Sequence, residues 1–101
     1  MAFVQQTPRI FNRASIEALS LNLTGVYGLY RPGQWIYVGK GNIRERLFAH
    51  LNGDNSRITA QRPTHFVLEM AVDPLMSARE KHLILALDPI CNKQVASRLY
   101  G

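Results

Sequence analysis

Residues 24–51 read TGVYGLYRPGQWIYVGKGNIRERLFAHL, and this stretch decides the fold. Two segments within it, residues 25–30 and 34–39, are rich in aromatic and β-branched side chains and predict β-strands. Arg31-Pro32-Gly33 between them favours a turn, because proline fixes one dihedral angle and glycine adopts positive φ without strain. The stretch therefore predicts a β-hairpin.

A helix with a defined start is predicted directly after the hairpin. Asn42 is placed to cap it, and Glu45 three residues later completes a pattern similar to a capping box. Three apolar residues then recur at intervals of four and give the helix one apolar stripe: Ile43, Leu47 and Leu51.

Shorter segments flank this region. Residues 14–19 are a short helical candidate, and residues 65–72 predict a third strand. Residues 52–63 are polar and rich in Gly, Asp and Asn, and they predict a loop long enough to suggest a role in function.

The last predicted helix begins with Asp73 as its cap and Pro74 in its first turn, and it runs to about residue 87. The order β-β-α-β-α predicts an α+β fold with a three-stranded, mainly antiparallel sheet flanked by helices. The 101 residues are expected to form one domain: a helical lead-in over 1–23, a core over 24–93 and a tail over 94–101.

The composition indicates a soluble protein of the cytoplasm with a polyanionic partner. Twelve Lys and Arg against seven Asp and Glu give a net charge of +5, which favours nucleic acid. The lone cysteine, Cys91, excludes an internal disulfide. No apolar segment approaches the ~20 residues that cross a bilayer, so no membrane partner is expected.

Glu80 is the most informative polar residue. A carboxylate on a buried helix face needs a cation, a hydrogen-bond network or a proton. A capping box that starts at Ser77 would instead leave Glu80 solvated at the helix edge. With about 100° per residue, four apolar side chains lie within about 60° of it: Met76, Leu83, Ile84 and Leu87.

Four further side chains are candidates for chemistry. Arg46 and His50 lie four residues apart and share a helix face, where a guanidinium suits a phosphate and an imidazole accepts a proton. Tyr27 and Tyr37 lie on the two hairpin strands. They share a face of the sheet only if the turn has odd length or the hairpin contains a bulge, which the sequence leaves open.

Taken together, these residues resemble the GIY-YIG nuclease family. Gly25-Val26-Tyr27 matches its first motif and Tyr37-Val38-Gly39 its second, each with valine where the family name has isoleucine. Lys40 follows the second motif, and the Gly39-Lys40-Gly41 turn before a helix is an arrangement that suits an anion. Arg46 stands where the family's helix arginine belongs.

The remaining matches follow in order. His50 matches a position that carries tyrosine in some members and histidine in restriction-type ones. Glu80 matches the metal-binding glutamate, and Asn92, twelve residues later, matches the closing asparagine. The resemblance extends over residues 24–93 and implies the family fold, a three-stranded antiparallel sheet flanked by helices.

The resemblance implies hydrolysis of a DNA phosphodiester with one divalent metal, Mg²⁺ or Mn²⁺. Glu80 would be the sole protein ligand of that ion, and Arg46 would hold the phosphate. Tyr27, helped by His50, would remove a proton from the attacking water, and which of the two is the base stays open. Tyr37 and Lys40 would position water or phosphate, and Asn92 would hold the local backbone.

Target choice would come from the domain surface, a homo-oligomer or a targeting partner. One alternative is a catalytically inactive nucleic-acid-binding module of the same fold, and another is a protein-interaction domain that uses the loop at 52–63. Four basic side chains are candidates for contacts to the DNA backbone: Arg44, Arg57, Arg62 and Lys81.

Overall fold

In a computed structural model of the protein, which describes residues 2–92, four antiparallel strands form one sheet. The strands are β1 (Arg9–Ile10), β2 (Thr24–Arg31), β3 (Gln34–Asn42) and β4 (His65–Met70), in the order β1-β4-β2-β3. The helices are α1 (Arg13–Glu17), α2 (Ile43–Leu51), α3 (Ser56–Ala60) and α4 (Leu75–Leu87), followed by a 3₁₀ turn at Ile90–Asn92. The α+β class is confirmed, and the predicted tail at 94–101 lies outside the described residues.

The sheet has one strand more than the predicted three. Within the lead-in, Arg9 pairs with Phe66 and Ile10 with His65, which makes β1 an edge strand beside β4. A two-residue strand is too short to produce the alternation of apolar and polar side chains by which strands are recognised in a sequence. The prediction of three strands is therefore wrong, because β1 adds a fourth strand at the edge of the sheet.

The predicted loop at 52–63 contains the short helix α3. The side chain of Asn55 caps this helix by accepting hydrogen bonds from the backbone N–H groups of Arg57 and Ile58. Ile58 is buried and joins the hydrophobic core. A one-turn helix therefore closes over the core where the polar composition predicted an irregular segment.

A bulge in the hairpin determines which way the tyrosines face. Leu29 pairs with Tyr37, but the next residue, Tyr30, pairs with Trp35, so Ile36 is an extra residue in β3. Tyr37 lies opposite Leu29 and therefore shares its face, and Tyr27 shares that face because side chains alternate along a strand. The question that the sequence left open is settled, and both phenols lie on one face.

The two faces of the sheet are covered by different elements. Helices α1, α2 and α3 cover the tyrosine face, where the side chains of Leu29, Ile43, Leu47 and Phe66 form the centre of the larger core. Helix α4 covers the other face, where Leu83 packs with Val26 and Val38. The catalytic candidates of α2 and α4 are thus carried on opposite sides of the sheet.

Helix α2 begins where the sequence predicted, whereas α4 begins at Leu75, with Pro74 rather than Asp73 in the cap position. Asn42 accepts a hydrogen bond from the backbone N–H of Glu45 at 3.0 Å, as the capping pattern indicated. The Asp73 carboxylate accepts one from the backbone N–H of Ser77 at 2.9 Å, inside a helix that starts at Leu75. Ser77 is therefore not the cap, and the alternative that placed Glu80 at a solvated helix edge is wrong.

Side-chain amides cover backbone groups at the free edges of the sheet. Gln6 donates to the carbonyl of Leu68 at 2.8 Å and accepts from its N–H at 3.0 Å. Asn92 makes the same pair of bonds with Val38 of β3, at 3.1 and 2.9 Å.

Among the helices of residues 2–92, none has the length and apolar character needed to span a membrane.

Candidate functional site

The centre of the site is a hydrogen bond between two buried side chains. Tyr27 of β2 is 0% exposed and His50 of α2 is 4% exposed, and 2.7 Å separates the Tyr27 hydroxyl from His50 Nε2. Burial raises the pKa of the Tyr27 phenol above its ordinary value and lowers the pKa of the His50 imidazole. The phenol therefore keeps its proton at neutral pH and donates it to the unprotonated nitrogen of a neutral imidazole.

Asp54 completes this arrangement from beyond the end of α2. Its Oδ1 lies 2.9 Å from His50 Nδ1, and its Oδ2 lies 3.6 Å from the Arg46 guanidinium. The sequence analysis did not identify Asp54, because the residue follows the helix in a segment predicted as loop. Its position four residues after His50 was the available signal, since side chains at that spacing meet on one side of a helix.

Arg46 lies at the mouth of the site. Its side chain is 43% exposed, and its guanidinium lies beside both Asp54 and the Tyr27 hydroxyl. The hydrogen bond to Tyr27 raises the pKa of Arg46, so the guanidinium carries its charge at every relevant pH. A permanent cation thus faces solvent next to the buried phenol and imidazole.

Tyr37 joins the same cluster from β3. Its ring centre lies 6.3 Å from that of Tyr27 and 5.3 Å from that of His50. Tyr37 is half-buried, and its pKa is raised by burial first and then by the negative charge of Glu80. The second effect places the α4 carboxylate within electrostatic range of this phenol, although α4 packs on the other face of the sheet.

Glu80 lies on the packed side of α4 and is 22% exposed. Burial raises the pKa of its carboxyl group, and the nearby positive charge of Lys40 acts in the opposite direction. The Lys40 ammonium lies 3.9 Å from Glu80 Oε1 and donates a 2.6 Å hydrogen bond to the Ser77 hydroxyl. The carboxylate is therefore partly buried as predicted, with a lysine rather than solvent beside it.

Gly39 is required at its position because the two phenol rings pack against its α-carbon. A Cβ atom at residue 39 would lie 2.6 Å from Tyr27 Cζ and 2.8 Å from Tyr37 Cε2, and it would lie closer still to the Tyr27 hydroxyl oxygen. Real Cβ atoms essentially never approach other heavy atoms within 3.0 Å. The glycine of the second motif thus leaves the space in which both tyrosines reach His50.

The other predicted residues lie around this cluster. Asn92 holds the backbone of Val38, the strand residue next to Tyr37, through two hydrogen bonds. The Arg44 guanidinium lies 5.1 Å above the Phe48 ring, so packing occupies it. The remaining basic candidates lie in α3, in the exposed turn after it, and on the exposed side of α4: Arg57, Arg62 and Lys81.

A divalent ion is compatible with Glu80. Within residues 2–92, no group of three or more His, Cys, Asp or Glu side chains is arranged to hold a metal, and no described group donates a hydrogen bond to the Glu80 carboxylate. Mg²⁺ binds to proteins through one or two carboxylates and keeps several waters. The uncommitted oxygens of Glu80 satisfy this requirement, provided that the Lys40 ammonium yields to the ion.

Comparisons with protein-family models, with curated proteins and with solved structures find no significant match for this chain.

Proposed function

We propose that the protein is a metal-dependent DNA endonuclease of the GIY-YIG type, which hydrolyses phosphodiester bonds. The observation that carries this proposal is the 2.7 Å hydrogen bond between Tyr27 and His50, beside the Arg46 guanidinium. Tyr27 comes from β2, whereas Arg46 and His50 come from α2. Their convergence supplies a proton acceptor and a phosphate-binding cation within one small volume.

The proton of the attacking water passes through Tyr27 to His50. The water gives its proton to the Tyr27 oxygen while the Tyr27 proton moves to His50 Nε2, and the hydroxide attacks phosphorus. The bond from phosphorus to the 3′ oxygen breaks, and that oxygen leaves with the electron pair and takes a proton from water. His50 is the final acceptor because its lowered pKa keeps the imidazole neutral, whereas burial opposes a Tyr27 phenolate.

Arg46 binds the phosphate and exposes the phenol in the same movement. Tyr27 is fully buried, with the Arg46 guanidinium beside its hydroxyl. A planar guanidinium forms two parallel hydrogen bonds with a phosphate, which are stronger than its contact with a neutral phenol. The incoming phosphate therefore draws Arg46 outward, and the attacking water gains access to Tyr27.

Glu80 would hold Mg²⁺ or Mn²⁺. When bound, such an ion would stabilise the negative charge that develops on the phosphate during hydrolysis. Tyr37, between Glu80 and His50, positions the water. Lys40, whose ammonium lies 3.9 Å from Glu80 Oε1, would turn towards the phosphate if Glu80 held a cation, because two positive charges repel.

The DNA lies across the face that carries Arg46. Arg57 and Arg62 contact its backbone outside the reacting phosphate, whereas the Arg44 guanidinium packs over Phe48. The net charge of +5 favours this partner at low ionic strength. The intracellular location expected from the composition agrees with a DNA substrate. Where the chain acts on a particular target, a targeting partner or a homo-oligomer supplies the selectivity.

The inactive-module alternative is the less favoured one. A fold that only binds nucleic acid has no need of an unprotonated imidazole nitrogen placed to receive a proton beside a phosphate-binding cation. The two proposals also predict different behaviour towards Mg²⁺.

Nicking of supercoiled plasmid DNA in Mg²⁺, with an EDTA control, tests the proposal. We expect the wild-type protein to cut, and Glu80→Gln to lose cleavage while its circular dichroism and melting temperature stay close to wild type. The loss follows from removal of the only carboxylate proposed as a metal ligand. Glu45→Gln is the matched control, because Glu45 is an exposed acid on α2 and should cut normally. Cleavage by Glu80→Gln at the wild-type rate would disprove the role of Glu80.

A further inference from the structure

Asp54 occupies a position from which it controls the chemistry of His50 without reaching a substrate. His50 has two ring nitrogens, and both are engaged: Nε2 with the Tyr27 hydroxyl at 2.7 Å and Nδ1 with Asp54 Oδ1 at 2.9 Å. The imidazole is 4% exposed, so water has little access to either nitrogen. The partners of the two nitrogens therefore decide where the ring carries its proton.

Only one tautomer satisfies both partners. A carboxylate accepts hydrogen bonds and donates none, so Asp54 requires a proton on Nδ1. Nε2 of the neutral ring is then unprotonated and accepts the proton of Tyr27. The opposite tautomer would place an unprotonated Nδ1 against a negative carboxylate, and it would place an N–H on the nitrogen that must receive a proton during hydrolysis.

The charge of Asp54 matters a second time, after the proton has moved. An imidazolium formed from His50 would lie in an almost fully buried position, where an uncompensated positive charge is unfavourable. The groups that face His50 are Tyr27 from β2, Tyr37 from β3, Arg46 from α2 and Asp54 from the segment after α2. Asp54 supplies the negative charge among them, and Arg46 carries a positive one.

Asp54 is also held in place by Arg46. The guanidinium Nη2 lies 3.6 Å from Asp54 Oδ2, while Oδ1 is directed to His50. When Arg46 turns towards a phosphate, this contact weakens, and the full charge of Asp54 becomes available to His50. The Asp54 carboxylate thereby couples phosphate binding by Arg46 to the basicity of His50.

We infer that Asp54 is a positioning residue that fixes His50 in the Nδ1–H tautomer and stabilises the imidazolium formed when His50 accepts the proton of Tyr27. Its importance for cleavage rests on the proposed nuclease function. Its effect on the tautomer does not, because that effect depends only on the geometry of three side chains.

Two-bond ¹H–¹⁵N correlation spectra of the imidazole rings test the tautomer directly. We expect the wild-type spectrum to contain one ring, absent from His50→Gln, with the pattern of a neutral Nδ1–H imidazole at pH 7.5. In Asp54→Ala this ring should become a mixture of tautomers, since Nδ1 has lost its acceptor. Glu45→Gln removes one negative charge from the same helix and should leave the ring unchanged.

Cleavage kinetics supply the second measurement. Asp54→Ala and Asp54→Asn should lower kcat by ~10²–10⁴-fold with a smaller change in KM, the range that a general base contributes. The acid limb of the pH profile of kcat/KM should move to lower pH in Asp54→Asn, because the Asp54 charge raises the pKa of His50. A carboxylate that only supported the fold would not move that limb.

The two measurements separate the two proposals. A wild-type His50 ring in the Nε2–H form, or an Asp54→Ala ring indistinguishable from wild type, would overturn the role of Asp54 whether or not the protein cuts DNA. The expected spectra together with no cleavage by any variant would support the positioning role and overturn the nuclease. Expected spectra with full activity in Asp54→Ala would overturn the catalytic importance of Asp54 alone.

Discussion

Gly39→Ala is the substitution that best distinguishes an effect on the geometry of the candidate site from an effect on the stability of the fold. The added Cβ would lie 2.6 Å from Tyr27 Cζ, about 0.8 Å closer than the 3.4 Å at which ordinary contact begins, and closer still to the hydroxyl oxygen. Tyr27 is fully buried and bonded to His50 at 2.7 Å, so a displacement of this size breaks the bond. The backbone of Gly39 has no positive φ, so alanine meets a steric obstacle only in the side chains around it.

The expected loss of stability in Gly39→Ala follows from this steric overlap. Overpacking of this kind destabilises by about 1–3 kcal/mol, and the smaller entropy of the unfolded alanine chain offsets ~0.5–1 kcal/mol of that. For a domain of this size each kcal/mol corresponds to about 4–8 °C in melting temperature. Cleavage should fall by ~10²-fold, since misplacing a catalytic group by about 1 Å has that effect.

Gly33→Ala is the matched control. Gly33 lies in the hairpin turn with φ of 81°, and a Cβ atom there would meet no heavy atom within 4 Å, so alanine is strained only by its backbone. That strain costs about 1–2 kcal/mol, similar to the expected loss in Gly39→Ala. Thermal denaturation should give comparable shifts for both variants, and plasmid nicking should fail in Gly39→Ala alone. Equal activity of the two variants would refute the claim that the space at Gly39 sets the Tyr27–His50 geometry.

Two further predictions concern stability. The pKa of His50 is held below 6.5, so the folded state favours its neutral form, and the free energy of unfolding should decrease as the pH falls below about 6.5. Hydrogen bonds with Arg79 hold the pKa of the Glu69 carboxyl below its ordinary value, which adds a second loss of stability as the pH falls below about 4.5. Urea denaturation between pH 3 and 8 should show both losses, and His50→Gln should remove the first. Asn92→Ala leaves the N–H and C=O of Val38 without their partner and should cost ~1–3 kcal/mol in urea denaturation; an unchanged midpoint would mean that water replaces the amide at no cost.

The local rules of the chain predict most of the scaffold. Asn42 caps α2 as expected, because a side-chain oxygen before a helix satisfies its first N–H groups wherever that helix packs. The Asp73 carboxylate accepts a hydrogen bond from the N–H of Ser77, although Pro74 occupies the cap position of α4. The apolar neighbours of Glu80 on the helical wheel placed the carboxylate on the packed side of α4, where it lies. Such predictions succeed because they depend on residues only a few positions apart.

The errors arise where distant contacts decide the structure. β1 is two residues long and exists because β4 offers an unpaired edge, which no local pattern reveals. Helix α3 depends on the burial of Ile58 against a core built from other elements. The two tyrosines lie on one face of the sheet because Ile36 is an extra residue in β3. The hydrogen bond between Asp54 and His50 depends on the path of the backbone after the last residue of α2.

The edge position of β3 is what allows one site to be assembled from both faces of the sheet. Tyr37 belongs to the tyrosine face, while Glu80 belongs to a helix that packs on Val38 from the other face. A neighbouring strand beyond β3 would separate the two, because it would occupy the edge of the sheet in the hydrogen-bonding direction, about 4.8 Å from β3. In this protein β3 pairs only with β2 among the described strands, and the Asn92 amide, rather than a strand, covers the backbone of Val38. Tyr37 and Glu80 therefore come within electrostatic range of each other although their elements pack on opposite faces of the sheet, and Asn92 occupies the backbone groups of Val38 with which a further strand would pair.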